Sequence, residues 1–342
     1  MTKRNSNILT MKQWLFVFIF FLVIIFSGYY LLNSPNNYNL VEPLRFEIKS
    51  GESFQSVADR LNELGIVPNK TVFRIAAFIY GAETKIKAAR FKIENGLSYI
   101  DLIDLLINGP ADYLRTIRVN DGQTIKWLAG KVRRDLRIDS TAFYQKAYDK
   151  DFIKSLGLNV PSLEGYLFSK SYQIYERSEP EEVLTIFYNA LKEFWTDSIQ
   201  RRADSLKLTM HQVLTLASII KGETNNVEEM PRISGVYHNR LKLGMKLQAD
   251  PTIQYLMKNG WKRLTYNDLM IDSPFNTYKY FGLPPAPINN PGANAILAAL
   301  YPEKHNYLFF VADGTGKHKF AKNYSEHLRN VREYRKWLSQ QK

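Results

Sequence analysis

The 342-residue chain contains no cysteine, which excludes a disulfide framework, a thiol nucleophile and a thiol redox centre. Histidine is scarce. His211, His238, His305, His318 and His327 form no HExxH, and the last two stand nine residues apart, so no zinc signature is present. There is no G-x-S-x-G elbow and no Walker loop; an activated serine and a nucleotide site lack support, and no cofactor is expected. Low-complexity tracts are missing. With 45% hydrophobic and 23% charged residues, the chain can bury enough core for two soluble domains. Acidic residues are outnumbered, 33 against 46 Lys and Arg. The resulting charge of +13 suits nucleic acid, anionic lipid or an acidic polymer, and composition does not choose among them.

One uncharged run narrows that choice. "WLFVFIFFLVIIFSGYYLL", residues 14–32, is 19 residues long, enough at about 1.5 Å per residue to cross a bilayer core. Lys3, Arg4 and Lys12 precede it and no basic residue follows until Arg45, so the positive-inside rule keeps a tail, 1–13, in the cytoplasm. A cleaved signal peptide is the competing reading. The run exceeds a usual h-region, however, and "SGYYLLNSP" offers no A-x-A-like cleavage site. The expectation is an uncleaved single-pass anchor in the bacterial inner (cytoplasmic) membrane, with Trp14, Tyr29 and Tyr30 at the interfaces and residues 33–342 facing the periplasm or cell wall. Outside the cytoplasm there is neither DNA nor ATP. Nucleic acid is therefore dropped as a partner, and the basic charge reads as compatibility with lipid headgroups and an acidic wall polymer.

A polar linker, 33–44, follows the anchor. The region 45–148 then carries repeats: "FEIKSGESFQSVADRL" at 46–61, "FKIENGLSYIDLIDLL" at 91–106 and "IRVNDGQTIKWLAGKV" at 117–132. Each reads as a short strand, a glycine turn, a Ser or Thr cap and an amphipathic helix. Such units cannot bury a face alone and are expected to pack together. Through "SGESFQSVADRL" and "GIVPNKTVF", the first resembles a LysM module, the wall-glycan-binding fold; a strand-turn-helix without ligand is the plain alternative.

Residues 149–342 read as a separate mixed domain. Glu182–Asp204 has Val183, Phe187, Leu191 and Phe194 at helical spacing, "YLFFV" (307–311) is a buried-strand candidate with "ADGTG" as its turn, and Ser325 is expected to cap a last helix. Thr209 and Gln212 form a capping box that starts a helix near Met210. Along it Val213, Leu216, Ala217 and Ile220 make an apolar stripe that ends in a lone acid, Glu223. Gly222 supplies an alternative helix end just before it. Burial and the negative C-terminal end of the helix dipole both raise a carboxyl pKa, which is what a general acid needs. "SPFNTYKYFGLPPAPINNPG" (273–292), with five prolines, is too rigid for helix and too polar for core, and loops of this kind build sites.

Together these strings resemble one family, the MltG-type (YceG-like) membrane-anchored endolytic murein transglycosylases. The resemblance rests on the anchor, the LysM-like region and, in order, "LEGYLF", "LASIIKGET", "NRLKLGMKLQADPTIQY", "SPFNTYKYFGLPPAPINNPG" and "YLFFVADGTGKHKF". It implies cleavage of the MurNAc–GlcNAc bond of nascent peptidoglycan by one catalytic glutamate, which falls on Glu223. The chain departs from the family pattern at Lys221, commonly a second Glu, and at Ser169-Lys170, commonly Pro-Asp. Lys221 must therefore point away from Glu223 or be paired. In the implied chemistry the acid protonates the leaving oxygen, then takes the C6-hydroxyl proton of the same MurNAc, closing a 1,6-anhydro ring without water and ending strand elongation. Expected supports are Glu164, Tyr166, Asn239, Arg240, Gln248, Asp250, Thr252, Asn276, Thr277 and Tyr278, in contact with substrate or one layer behind. The expected fold is α+β: a transmembrane helix, LysM-like strand-helix modules and a mixed α/β catalytic domain. Partners implied are glycan strands, the bilayer and peptidoglycan synthases. Two alternatives stay open: a hydrolase using Glu164 or Asp250 as second carboxylate, and a non-catalytic, membrane-tethered peptidoglycan-binding scaffold.

Overall fold

The structure, a computed structural model, describes residues 10–39, 44–257 and 262–340. Lys3 and Arg4 of the expected tail, and residues 40–43 of the expected linker, lie outside the described residues. The chain divides into two compact units, Met1–Leu114 and Arg115–Lys342, and it mixes helix with small two-stranded sheets.

In the first unit, α1 (Met11–Asn33) begins with a capping box between Thr10 and Gln13. Its mean hydropathy reaches 2.6 and none of its residues is buried; it is long and apolar enough to cross a membrane. Next come β1 (Leu44–Glu47), α2 (Phe54–Glu63), α3 (Lys70–Tyr80), β2 (Arg90–Ile93) and α4 (Tyr99–Asn108). β1 and β2 pair antiparallel with Phe46 opposite Phe91, and both rings face a core that includes Leu61, Phe73 and Leu102. Phe54 stacks on Phe73 at 5.4 Å. Each such ring, fully buried, stabilises the unit by about 1.5–3 kcal/mol.

The repeat pattern is realised locally. Gly51, Gly96 and Gly122 all adopt positive φ, while Ser53, Ser98 and Thr124 accept hydrogen bonds from Ser56 N, Asp101 N and Trp127 N as N-caps. The third repeat nevertheless belongs to the second unit. Ile125, Leu128, Val132 and Leu136 share one core with Phe187, Val213 and Leu216, so the division falls at Leu114 and not after residue 148.

The second unit continues from β3 (Leu114–Arg118) through α5 (Ile125–Leu136), α6 (Ser140–Lys146), α7 (Lys150–Ser155) and β4 (Ser171–Tyr175), with β3 paired to β4. After them come α8 (Pro180–Phe194), α9 (Asp197–Ser205), α10 (Met210–Glu223), α11 (Met230–Lys242), α12 (Asp250–Leu256) and α13 (Gly292–Leu300). β5 (Phe309–Ala312), β6 (His318–Ala321) and α14 (Tyr324–Gln340) complete the unit, β5 and β6 being antiparallel. Three local expectations are corrected. The helix expected over 182–204 breaks at Trp195, because Thr196 caps a new helix through Ile199 N. The strand expected to be buried at 307–311 is only half-buried. The last helix is capped by Asn323, which accepts from Glu326 N at 2.9 Å, and not by Ser325, which already lies inside it.

α10 departs most from a one-sided stripe. Every residue from Val213 to Ile220 is buried, so this is a core helix covered on all sides. Its two polar interior residues are satisfied. Thr215 donates to His211 O at 2.7 Å, and Ser218 donates to Thr215 O at 2.8 Å while accepting from Ile288 N at 3.0 Å. Asn289 adds a bond to Ser218 O at 2.8 Å, which ties the proline-rich loop to the middle of the helix.

Candidate active site

α10 ends at Glu223; Gly222 is helical and Thr224 is the extended C-cap. Glycine is needed at 222 for close approach, since a Cβ there would stand 2.5 Å from Pro251 Cβ. This contact brings the end of α10 against the first turn of α12, and so Glu223 towards Asp250. Both line a cavity of 1190 Å³ in the second unit, together with Arg240, Gln248 and Tyr278.

Glu223 sits in the wall of that cavity. Water reaches part of the residue, yet the carboxyl itself is packed as in an interior, and the local packing governs its charge. Desolvation pushes its pKa up to about 8; the Tyr237 hydroxyl opposes this, the Asp250 charge adds to it and the Arg240 charge opposes it. The acid is therefore protonated at neutral pH. Tyr237 donates to Glu223 Oε1 at 2.5 Å, which fixes the carboxyl rotamer from α11. Burial and the adjacent Glu223 hold the Tyr237 hydroxyl far above its ordinary range, so it stays a donor. Lys221 is turned aside: Nζ donates to Asn225 Oδ1 at 2.5 Å, its pKa lowered by desolvation.

Arg240 reaches the cavity but makes its bonds to carbonyls, Leu308 O and Leu247 O, each at 2.6 Å, with the guanidinium 5.2 Å from the Phe309 ring. The cation is thereby clamped beside Glu223. Tyr278 donates to Asp250 Oδ1, and the Tyr278 hydroxyl is itself raised by burial and that carboxylate. Gln248 lines the cavity with φ 48, a strained conformation for a residue with a side chain, costing about 1–3 kcal/mol. Its N–H donates to Thr277 O at 3.1 Å, which holds the strain.

The other expected supports stand behind the wall. Thr252 Oγ1 lies 2.8 Å from Ala249 O and 3.0 Å from Thr277 Oγ1, which accepts from Ala249 N at 2.9 Å. Asn276 donates to Leu269 O and Ile271 O at 2.9 and 2.7 Å and accepts from Tyr278 N at 3.0 Å, so it sets the loop that carries Tyr278. Asn239 binds His305 O and Tyr307 O at 2.8 and 3.0 Å, steering the chain into β5. Tyr166 is buried against His211 Nδ1 at 2.8 Å.

Glu164, a candidate second acid, is 2% exposed and does not line the cavity. Its carboxyl accepts from Ile125 N at 3.1 and 3.2 Å and from Asn290 Nδ2 at 3.2 Å, and burial raises its pKa to about 8. Its place at the N-terminus of α5 makes it an anchor for the 120–124 loop.

Sequence reasoning missed that loop. Asn120–Thr124 and Trp127 line the cavity, held through Asn290, which accepts from Gly165 N and Leu167 N at 3.0 and 2.9 Å and donates to Gln123 O at 2.8 Å. Tyr237, Phe310 and His318 were missed too. A signal for Tyr237 existed, because it stands three residues before Arg240 on one helix and so shares its face.

The YceG-like family matches residues 46–333. A Bacillus subtilis protein named endolytic murein transglycosylase is 29% identical over 308 residues, covering 85% of this chain and 84% of the relative. A Streptococcus pneumoniae protein of the same name is 28% identical over 372 residues, covering 94% of this chain; the chain spans 65% of that relative. Among solved structures, a YceG-like protein from Listeria monocytogenes superposes with a TM-score of 0.59 at 28% identity, covering 84% of this chain and 98% of that one.

Proposed function

The chain belongs to the YceG-like family, and we propose that it is an endolytic murein transglycosylase, a lyase of peptidoglycan whose acid is Glu223. The observation that carries the assignment is a helix-end carboxyl, held by Tyr237 and raised by burial, in the wall of a cavity large enough for more than a small ligand. The Glu223 proton passes to the oxygen of the MurNAc–GlcNAc bond. As charge develops on the sugar, the new carboxylate is stabilised by Tyr237 and the Arg240 cation, then takes the proton of the C6 hydroxyl as the 1,6-anhydro ring closes. The proton balance closes on one residue. Asp250, bonded to Tyr278, supplies negative charge facing the oxocarbenium-like centre.

A hydrolase using Glu164 loses its support, since that carboxyl is buried away from the cavity. A scaffold without catalysis leaves the raised acid unused. The first unit, with its LysM-like opening repeat, is assigned the retention of glycan, and α1 the anchoring in the inner membrane with the N-terminus in the cytoplasm. Peptidoglycan synthases are the expected membrane partners. Zymography on murein sacculi, comparing the full chain with Glu223→Gln, tests the assignment. A clearing zone for the native chain and none for the variant is expected; equal zones would reject Glu223 as the acid, and no zone for either would favour the scaffold.

A further inference from the structure

Besides Glu223 and Asp250, a second ionisable pair, of which His318 lines the cavity, takes no part in the proton transfer above. Glu229, 7% exposed, precedes α11, and His318 opens β6. Glu229 Oε1 accepts from the His318 backbone N–H at 3.0 Å, and Oε2 faces His318 Nδ1 at 3.0 Å. Against a carboxylate oxygen the ring nitrogen donates, so the tautomer that fits this contact has its proton on Nδ1 and leaves Nε2 for the cavity. Among the described residues Nε2 has no hydrogen-bond partner, and His318 lines the cavity. Phe310, also in the lining, meets the His318 ring edge-on at 5.4 Å and the Tyr237 ring edge-on at 6.0 Å. One aromatic ring therefore separates His318 from the side chain that holds Glu223.

We infer that His318, Glu229 and Phe310 form a subsite for the acetamido group of an N-acetylated sugar beside the scissile bond, its N–H donating to Nε2 and its methyl against Phe310. The inference deepens the transglycosylase reading and rests on it. A fixed acceptor next to an apolar ring matches a group that carries one N–H donor and one methyl. A sugar hydroxyl has no methyl for Phe310. A free peptide carboxylate has no donor, and a lactyl amide, which also pairs an N–H with a methyl, survives de-N-acetylation and is told apart by that substrate.

Glu229→Gln supplies a sharp test, because the variant inverts the tautomer. The Gln carbonyl stays on the His318 backbone N–H, which needs an acceptor; the amide NH₂ then faces Nδ1, and the ring proton moves to Nε2. Nitrogen-15 spectra of the histidine rings in the full chain, in detergent micelles at neutral pH, are expected to show protonated Nδ1 at His318 in the native protein and protonated Nε2 in the variant. The KM for N-acetylated glycan strands is expected to rise about tenfold in Glu229→Gln and in His318→Phe, with the KM for chemically de-N-acetylated strands unchanged. A native Nε2 that carries the proton, or equal changes on both strands, would overturn the subsite while anhydro-ended products leave the reaction standing. Absence of anhydro ends from every digest would remove the reading beneath it.

Discussion

Replacing Glu164 by Gln should tilt the pH dependence of stability. Its carboxyl has a pKa of about 8 in the folded protein against 4.5 as the reference, because burial penalises the charge. A group that holds its proton more tightly when folded stabilises fully below the reference value, and that share is lost as pH rises towards the folded one. Between them the unfolded chain has released the proton and the folded chain has not, so stability falls by about 1.4 kcal/mol per pH unit, about 5 kcal/mol over the window. Gln cannot titrate. Its carbonyl can still accept from Ile125 N and Asn290 Nδ2, but its NH₂ brings two donors to this buried place where the protonated carboxyl brings one, a cost of about 1–3 kcal/mol. The variant is therefore expected to be less stable than the native chain at acid pH and more stable above neutrality, crossing at roughly pH 6. Urea unfolding of the full chain in micelles, read by tryptophan fluorescence, measures the two curves; four of the five tryptophans fall within the second unit. Parallel curves would show that Glu164 is already ionised in the folded state, and the burial argument would fail for both raised acids.

Tyr237→Phe removes the hydrogen bond that lowers the Glu223 pKa; the alkaline limb of the activity profile should move up from about pH 8 while kcat falls roughly tenfold, as a pH–rate profile would record. Gly222→Ala forces a methyl against Pro251 and should cost about 1–3 kcal/mol with a larger loss of activity, read by thermal unfolding beside turnover; an unchanged melting point would contradict the close approach. Asn290→Ala leaves the amides of Gly165 and Leu167 and the Glu164 carboxyl short of partners, for which urea unfolding should show a loss of about 3–5 kcal/mol. A reporter fused after Lys342 should be active only in a form that folds outside the cytoplasm; cytoplasmic activity would overturn the glycan assignment.

Local rules carried far where the determinants are neighbours in the chain. Thr209 with Gln212, and the Ser53, Ser98 and Thr124 caps, are each a few residues from the groups they bond, and all were legible. The periodicity of α10 was legible as helix but not as a helix enclosed on every side, because a stripe is counted along one element while enclosure depends on other helices, α13 above all, packing against it from elsewhere in the chain. Site residues divided in the same way. Motif strings pointed to Glu223, Arg240, Gln248, Asp250 and Tyr278, which meet at the cavity. They did not separate these from Thr252, Asn276 or Glu164, whose side chains hold the wall from behind, since a polar residue in a motif looks alike in either layer. The 120–124 loop escaped notice because it reaches the cavity through Asn290, 167 positions from Gln123, and no local pattern encodes that bond.

In the proposed mechanism one carboxyl, Glu223, both gives and takes the proton, so the sugar must close on itself. Mass spectrometry of glycan fragments released from murein by the full chain tests this most directly. Chains ending in 1,6-anhydroMurNAc, lighter by one water than hydrolysed ends, are expected from the native protein and none from Glu223→Gln. Reducing ends in the native digest would contradict it and make Asp250 the second carboxylate of a hydrolase.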